Sequence, residues 1–139
     1  MAADENLEFV QQAYRAMADG DIPWLYAHTA EDVVFQQGGT FPTAGTFRGR
    51  EAMFGHFNAF MTLVEGRFGI EPVDLLASDE RVAAVIRVTI GLRGREIVFD
   101  EIHLWRVEDG LLREMHALPF DPYAVDAFFA GAATPVASA

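Results

Sequence analysis

The stretch from Arg95 to Asp121, REIVFDEIHLWRVEDGLLREMHALPFD, limits what this chain can fold into more than any other. Phe99, Glu101, His103, Trp105 and Val107 fall at every second position, alternating with Val98, Asp100, Ile102, Leu104 and Arg106. Successive side chains of a strand point to opposite faces, so the first set shares one face and the second set the other. One face therefore combines aromatic rings with a carboxyl and an imidazole. The turn residues Glu108-Asp109-Gly110 send a second strand, Leu111 to Phe120, back along the first. This antiparallel pair is the expected home of any chemistry.

The rest of the chain supplies helices and a meander. Asp4 is an N-cap type, and Leu7, Val10, Tyr14 and Met17 recur at helical steps until Gly20 stops the helix. Asp21 caps a short second helix, with Pro23 in its first turn, that ends near Thr29. Val33 to Gln37 reads as a strand, and GGTFPTAGTF after it carries too many breakers for regular structure, which predicts a loop. Met53, Phe54, Phe57, Phe60, Met61 and Val64 predict a third helix over 50–64. Strands over 67–77 and 81–92 follow, joined by the Ser78-Asp79-Glu80 turn, and Arg93-Gly94 leads into the organising pair. Asp121-Pro122 opens a last short helix through Phe129, and residues 131–139 are expected to form a disordered tail beyond a single domain over 1–130.

Helices grouped before a meander imply an α+β domain with helices on one face of an antiparallel sheet. The motifs MADGD (17–21), AEDVVF (30–35), TFRGREAM (46–53) and HLWRVEDGLLRE (103–114) resemble the nuclear transport factor two-like superfamily, most of all its SnoaL-like and ketosteroid-isomerase-like branch. The resemblance implies a cone-shaped, curved antiparallel sheet wrapped around the N-terminal helices, with the His103 face concave. Aligned on Arg106, it puts His103 where the isomerase has a carboxylic acid that helps hold an oxyanion. Gln37 falls where the isomerase has its proton-shuttling carboxylate, and Ala13 where it has its tyrosine, with Tyr14 one place away. A glutamine cannot take up that proton, so steroid isomerisation by that route is disfavoured.

Glu101 and His103 are the candidate catalytic residues: two apart on one strand face, their Cα atoms lie about 6.5–7 Å apart. Such a pair suits general acid–base work near neutral pH, including enolisation, dehydration or an aldol-type ring closure. The bland alternative pairs Glu101 with an arginine at the sheet edge and leaves His103 bonded to a core carbonyl. Tyr14, Trp24, Gln37, Phe57, Phe99, Trp105 and His116 are candidate substrate contacts, and His28 and Asn58 are within reach of the same space. The hairpin register decides His116. A two-residue Asp109-Gly110 turn faces Val107 with Leu112 and turns His116 toward His103; a three-residue loop faces Val107 with Leu111 and turns His116 away, the register the resemblance favours. His56 has no apolar pattern forcing it inward and is expected to be exposed. Asp121 is explained by helix capping, and Arg87 and Asp100 are expected to pair across strands.

Composition excludes several classes. No cysteine is present, which removes disulfides and thiol chemistry and fits a reducing cytoplasm. Ten basic residues against 21 acidic ones give a formal charge of -11, which repels a nucleic-acid backbone and an anionic membrane surface. The N-terminus carries acids where a signal peptide needs positive charge, and no apolar run reaches membrane-spanning length. TAGTFRGRE lacks dinucleotide glycine spacing and a P-loop lysine, and the serines are Ser78 in a turn and Ser138 near the C-terminus. No dense metal-ligand motif occurs, so the expected chemistry is free of metals and cofactors. The outer row Val85, Ile102 and Leu104 is apolar enough to predict a homodimer through the back of the sheet.

The expectation is a small cofactor-independent enzyme. It would carry out acid–base isomerisation, cyclisation or dehydration of an apolar, carbonyl-bearing molecule in the cone, the polyketide-like class being supplied by the resemblance. A non-catalytic binding module and a dimeric interaction domain with a filled cone are the alternatives. An acid–base role requires Glu101 and His103 to face a space a ligand can enter.

Overall fold

Six strands form one curved, unclosed sheet in the order β2-β1-β6-β5-β4-β3, in a computed structural model that describes residues 2–133. The elements run α1 (Ala3–Asp19), α2 (Ile22–Ala27), β1 (Thr29–Gln37), β2 (Gly45–Arg48), α3 (Arg50–Leu63), β3 (Phe68–Ala77), β4 (Arg81–Leu92), β5 (Arg95–Glu108), β6 (Leu111–Pro119) and α4 (Pro122–Ala133). All neighbouring strands are antiparallel except β1 and β6, which run parallel and join the N-terminal half of the chain to the meander.

The alternation of β4 shows why the sheet has an inside. Val82, Ala84, Ile86, Val88 and Ile90 are buried, whereas Arg87 between them is exposed. α1 lies against β3 and β4, and α3 against β1 and β2, so the helices cover this inner face. The buried side of α1 is Asn6, Phe9, Val10, Ala13, Tyr14 and Ala16, while Leu7 and Met17 are half-buried. Its contact face is thus rotated from the one the large apolar residues predict, because small Ala13 and Ala16 admit the closest approach. α1 begins one residue before Asp4, with the Glu5 carboxylate accepting the Ala2 N–H at 3.4 Å, and Gly20 ends it at φ 69°.

Two expectations for the edges need correcting. The end of the glycine-rich loop is a strand: Gly45 to Arg48 pairs with Gln37 to Val34 as β2. A four-residue edge strand needs only one partner, and breakers before it do not prevent pairing. The last helix runs to Ala133 rather than stopping at Phe129, so residues 131–133 belong to it; residues 134–139, the remainder of the expected tail, lie outside the described residues.

The two β-turns, Arg93-Gly94 and Asp109-Gly110, have positive φ at both positions (52° and 77°, 54° and 72°). This is the geometry whose twist matches the flanking strands. Val107 consequently faces Leu112, as the two-residue turn requires, but the next pair is Arg106 with Glu114, leaving Arg113 in a bulge. Beyond the bulge Trp105 faces Met115, Leu104 faces His116 and His103 faces Ala117. These pairs belong to neither sequence-based register, being two residues further along β6 than the three-residue loop would give, but that loop's facing is kept: Met115 and Ala117 turn inward and His116 turns away.

Candidate functional site

Glu101, His103 and Trp105 project from the inner face of β5 and are buried, at 6%, 4% and 1% exposure. Alanines make room for the imidazole: His103 is flanked in the sheet by Ala84 and Ala117, and Gln37 follows Ala117 on β1. Tyr14 reaches the same place from α1. The result is one line of hydrogen bonds. The Trp105 indole N–H donates to the Tyr14 hydroxyl oxygen at 3.0 Å, and that hydroxyl lies 2.8 Å from His103 Nδ1. His103 Nε2 lies 2.7 Å from Glu101 Oε2, and Gln37 Nε2 donates to Glu101 Oε1 at 3.1 Å.

Donor chemistry fixes the direction of this line. An indole N–H can only donate, so the tyrosine oxygen accepts from it and has its own proton for Nδ1. Nδ1 is then an acceptor, and Nε2 carries the N–H that points at Glu101. Burial pushes the Tyr14 hydroxyl well above the usual phenol range, opposed by the Trp105 hydrogen bond and reinforced by the nearby Glu101 charge. Tyr14 thus remains a neutral donor. Among the described residues Glu101 bonds His103 and Gln37, in place of the edge arginine considered for it.

The other candidates divide. Phe99 is half-buried on the same face of β5, two residues from Glu101. Phe57 packs on Phe35, Phe54 and His56 from α3. Trp24 stays with α2, stacked on His28 at 4.0 Å and tilted against Phe9 at 5.8 Å, apart from the Tyr14–His103–Glu101 line. Asn58 is exposed. His116 lies on the outer face, a correction to its proposed place in the cone: the Arg113 bulge puts it opposite Leu104, 2.8 Å from Glu114. The Glu114 carboxyl is held below its usual range by the His116 hydrogen bond first, with burial opposing and Arg106 helping. Asp121 caps α4 by accepting the Ala124 N–H, and Arg87 pairs with Asp100 at 3.5 Å.

Sequence reasoning misplaced His56. It is buried at 7% exposure, with its ring against Phe47, Phe35 and Phe57 at 4.3, 4.9 and 5.3 Å. Nδ1 has no hydrogen-bond partner, and burial lowers the imidazole pKa to about 4, so the ring is neutral. Two of its neighbours come from β1 and β2, which helical spacing in α3 could not reveal; its place three residues after Met53, itself buried, was the available signal.

Clefts open elsewhere. One of about 390 Å³ lies by Arg67, Gly69, Thr89, Gly91 and Glu96, and one of about 110 Å³ by Arg81, Leu104, Arg106, Glu114 and His116. Neither includes Glu101 or His103. Among the described residues no group of three or more His, Cys, Asp or Glu side chains is placed to hold a metal ion, and no helix is long and apolar enough to cross a membrane.

A curved sheet enclosing helices, with ionisable groups on its concave wall, defines the nuclear transport factor two-like class. Solved structures of that shape superpose closely: Bal32a from a soil-derived mobile gene cassette, at 27% identity and TM-score 0.86 over 91% of this chain and 98% of that one; and a nuclear transport factor two-like protein from Burkholderia xenovorans LB400, at 27% identity and TM-score 0.78 over 96% and 99%. The uncharacterized protein Rv0034 of Mycobacterium tuberculosis (strain ATCC 25618 / H37Rv) is 28% identical over 131 residues, 94% of this chain and 100% of that one. Within the class, residues 10–115 match the SnoaL-like domain, and the chain belongs to that family.

Proposed function

We propose that this protein catalyses acid–base isomerisation, cyclisation or dehydration of an apolar, carbonyl-bearing small molecule admitted to the cone, with Glu101 as base and His103 as hydrogen-bond donor. The observation that carries the reading is the line Trp105–Tyr14–His103–Glu101–Gln37, buried from Trp105 to Glu101 and half-buried at Gln37, in which a carboxyl and an imidazole are kept together. Interiors seldom hold ionisable pairs without a use, since their desolvation costs several kcal/mol (about 3 or more). A carbonyl ligand would displace the Gln37 amide from Glu101 Oε1 and draw the His103 Nε2–H from Glu101 Oε2 to its own oxygen. Glu101 then takes a proton from the carbon beside the carbonyl, the C–H electron pair moves to form the enolate, and the His103 N–H, backed by Tyr14, stabilises its oxygen. Returning that proton from Glu101 to another carbon gives isomerisation; giving it to a β-hydroxyl, which leaves as water, gives dehydration; and giving it to the oxygen of a second carbonyl attacked by the enolate carbon gives ring closure.

The test needs no knowledge of the natural substrate: proton–deuterium exchange beside the carbonyl of 2-tetralone, followed by NMR. Wild-type protein should accelerate exchange over buffer, Glu101→Gln should lower that acceleration by about 100-fold or more, and His103→Gln should lower it less. Exchange at the buffer rate, or equal rates in all three proteins, sinks the reading.

A second reading, an interaction domain, is favoured by the outer face. Leu76, Val98, Leu118 and Phe120 are exposed at 59%, 55%, 44% and 61% on the side of the sheet no helix covers. A homodimer through that face suits either reading, and light scattering of wild type against Leu118→Glu tests it: the variant should be monomeric at a concentration where wild type is dimeric.

A further inference from the structure

Two segments outside the sheet, α4 and residues 38–44, lie beside the buried pair and are bonded to each other. α4 starts next to the end of β6, where Pro119 pairs with Glu101, and reaches the start of β5, where the Arg95 guanidinium lies 5.1 Å from the centre of the Phe128 ring. It therefore crosses the inner side of the sheet at the end nearest Glu101 and Gln37. Its Val125, Phe128 and Phe129 are buried and join the same apolar core as Val88, Ile90 and Leu92.

The second segment, 38–44, leaves β1 directly after Gln37 and returns as β2. Its ties run to α4. The Asp126 carboxylate accepts the Thr40 N–H and the Thr40 hydroxyl, both at 2.8 Å, and the Phe41 ring stacks on Phe129 at 4.8 Å and 12°. Gly39, at φ 117°, permits this approach, since a Cβ there would meet the Phe41 ring at 2.9 Å and the Asp126 carboxylate at 3.0 Å. α4 is also tied to the sheet through Arg95, whose Nη1 donates to the Phe128 carbonyl at 3.4 Å. The joint before the helix is fixed: Phe120 N–H donates to the Asp100 carbonyl at 3.0 Å, and Asp121 caps the first turn. α4 is thus anchored at its start and joined to the loop at Asp126 and Phe129, so any movement of one carries the other.

We propose that α4 and the 38–44 segment are a lid that opens as one unit, about a hinge at 120–122, to admit an apolar molecule to Glu101 and His103. What lies beneath the lid rests on the acid–base reading; the movement itself does not. The lid accounts for a pair that is shut away from both clefts described above.

The experiment uses the intact chain in a Trp24→Phe background, which leaves Trp105, hydrogen-bonded to Tyr14, as its one tryptophan. Asp126→Ala should raise amide hydrogen exchange about tenfold in 38–44 and in 122–131 together, with α1 and β4 unchanged, and roughly double the acrylamide quenching of Trp105. Thr40→Val, which keeps the backbone bond, should produce a smaller rise in the same two segments; it serves as the measure if Asp126→Ala does not fold. A rise in one segment alone, a rise spread through the sheet, or unchanged Trp105 quenching overturns the lid. Coupled opening in proteins that give no 2-tetralone exchange would leave the lid standing and remove the acid–base reading; the reverse pattern would do the opposite.

Discussion

The chain contains the same short sequence pattern twice, and the fold gives it two different lives. Glu101-Ile102-His103 and Glu114-Met115-His116 each bring a carboxylate and an imidazole together on one strand face, at 2.7 and 2.8 Å. Inside, the side chains of His103 and Glu101 are 5% and 8% exposed and their remaining atoms bond Tyr14 and the Gln37 amide. Outside, those of His116 and Glu114 are 27% and 36% exposed, and Arg106 supplies a full positive charge at 3.2 Å. Water and an arginine can replace either partner of the outer pair. Few groups can replace a partner of the inner one, so what distinguishes the buried pair from the surface pair is its surroundings, not its spacing.

Breaking each pair in turn measures that difference. Glu101→Ala should cost the most, about 3–5 kcal/mol in urea unfolding, because it strands a buried imidazole and leaves the half-buried Gln37 amide only its longer bonds to the Gly38 and Ala117 carbonyls at 3.4 Å. A loss below 1 kcal/mol would mean water reaches the inner pair freely. Next in size is the third imidazole, His56, buried without any carboxylate. Its pKa is lowered to about 4 in the folded chain against about 6.5 when unfolded, so between those values the unfolded chain binds the extra proton. Stability should be constant with respect to this group above about pH 6.5 and fall by up to about 3 kcal/mol as the pH drops toward 4. His56→Phe should flatten that part of the acid limb, and an unchanged limb would show the ring is not desolvated.

Tyr14→Phe should cost about 1–3 kcal/mol by leaving the Trp105 N–H and His103 Nδ1 unpaired. It should also red- or blue-shift Trp105 emission, whereas an unaltered spectrum would place the indole bond elsewhere. Glu114→Ala should cost least, below about 1 kcal/mol, and the cost should shrink further in high salt. Because the folded pKa of Glu114 is depressed, its contribution is present at neutral pH and disappears as the pH falls through that lowered value. If the outer pair proves as costly as the inner, the contrast drawn here is wrong.

Much of this was legible in the chain. Strict alternation over 99–107 fixed which residues share the Glu101 face, because a strand offers no other arrangement, and the glycines and caps marked most element ends. The orientation of His116 was not, because turn chemistry names the loop and cannot see a bulge three residues later. Leu112 and Met115, apolar and three apart where alternation demands two, were the trace it left. His56 and the β2 edge escaped for a common reason: their partners lie on other elements, and local spacing carries no information about them. Tyr14 was visible as an apolar-face residue, but its bond to His103 depends on a helix-to-sheet distance that only packing sets.

The parallel junction of β1 with β6 has a consequence for how the protein is made. Phe35 and Met115 are neighbours in the sheet yet 80 positions apart in the chain. As the polypeptide leaves the ribosome, β1 must wait for nearly the whole of the remaining sequence before its second edge is covered. Closing contacts of such long range slows folding and leaves sticky intermediates exposed in the meantime. The candidate site inherits that delay, since Tyr14 and Gln37 come from the first third of the chain and Glu101, His103 and Trp105 from the last. No fragment that stops short of β6 contains the complete sheet, and the candidate site is completed only once β5 and β6 have joined β1.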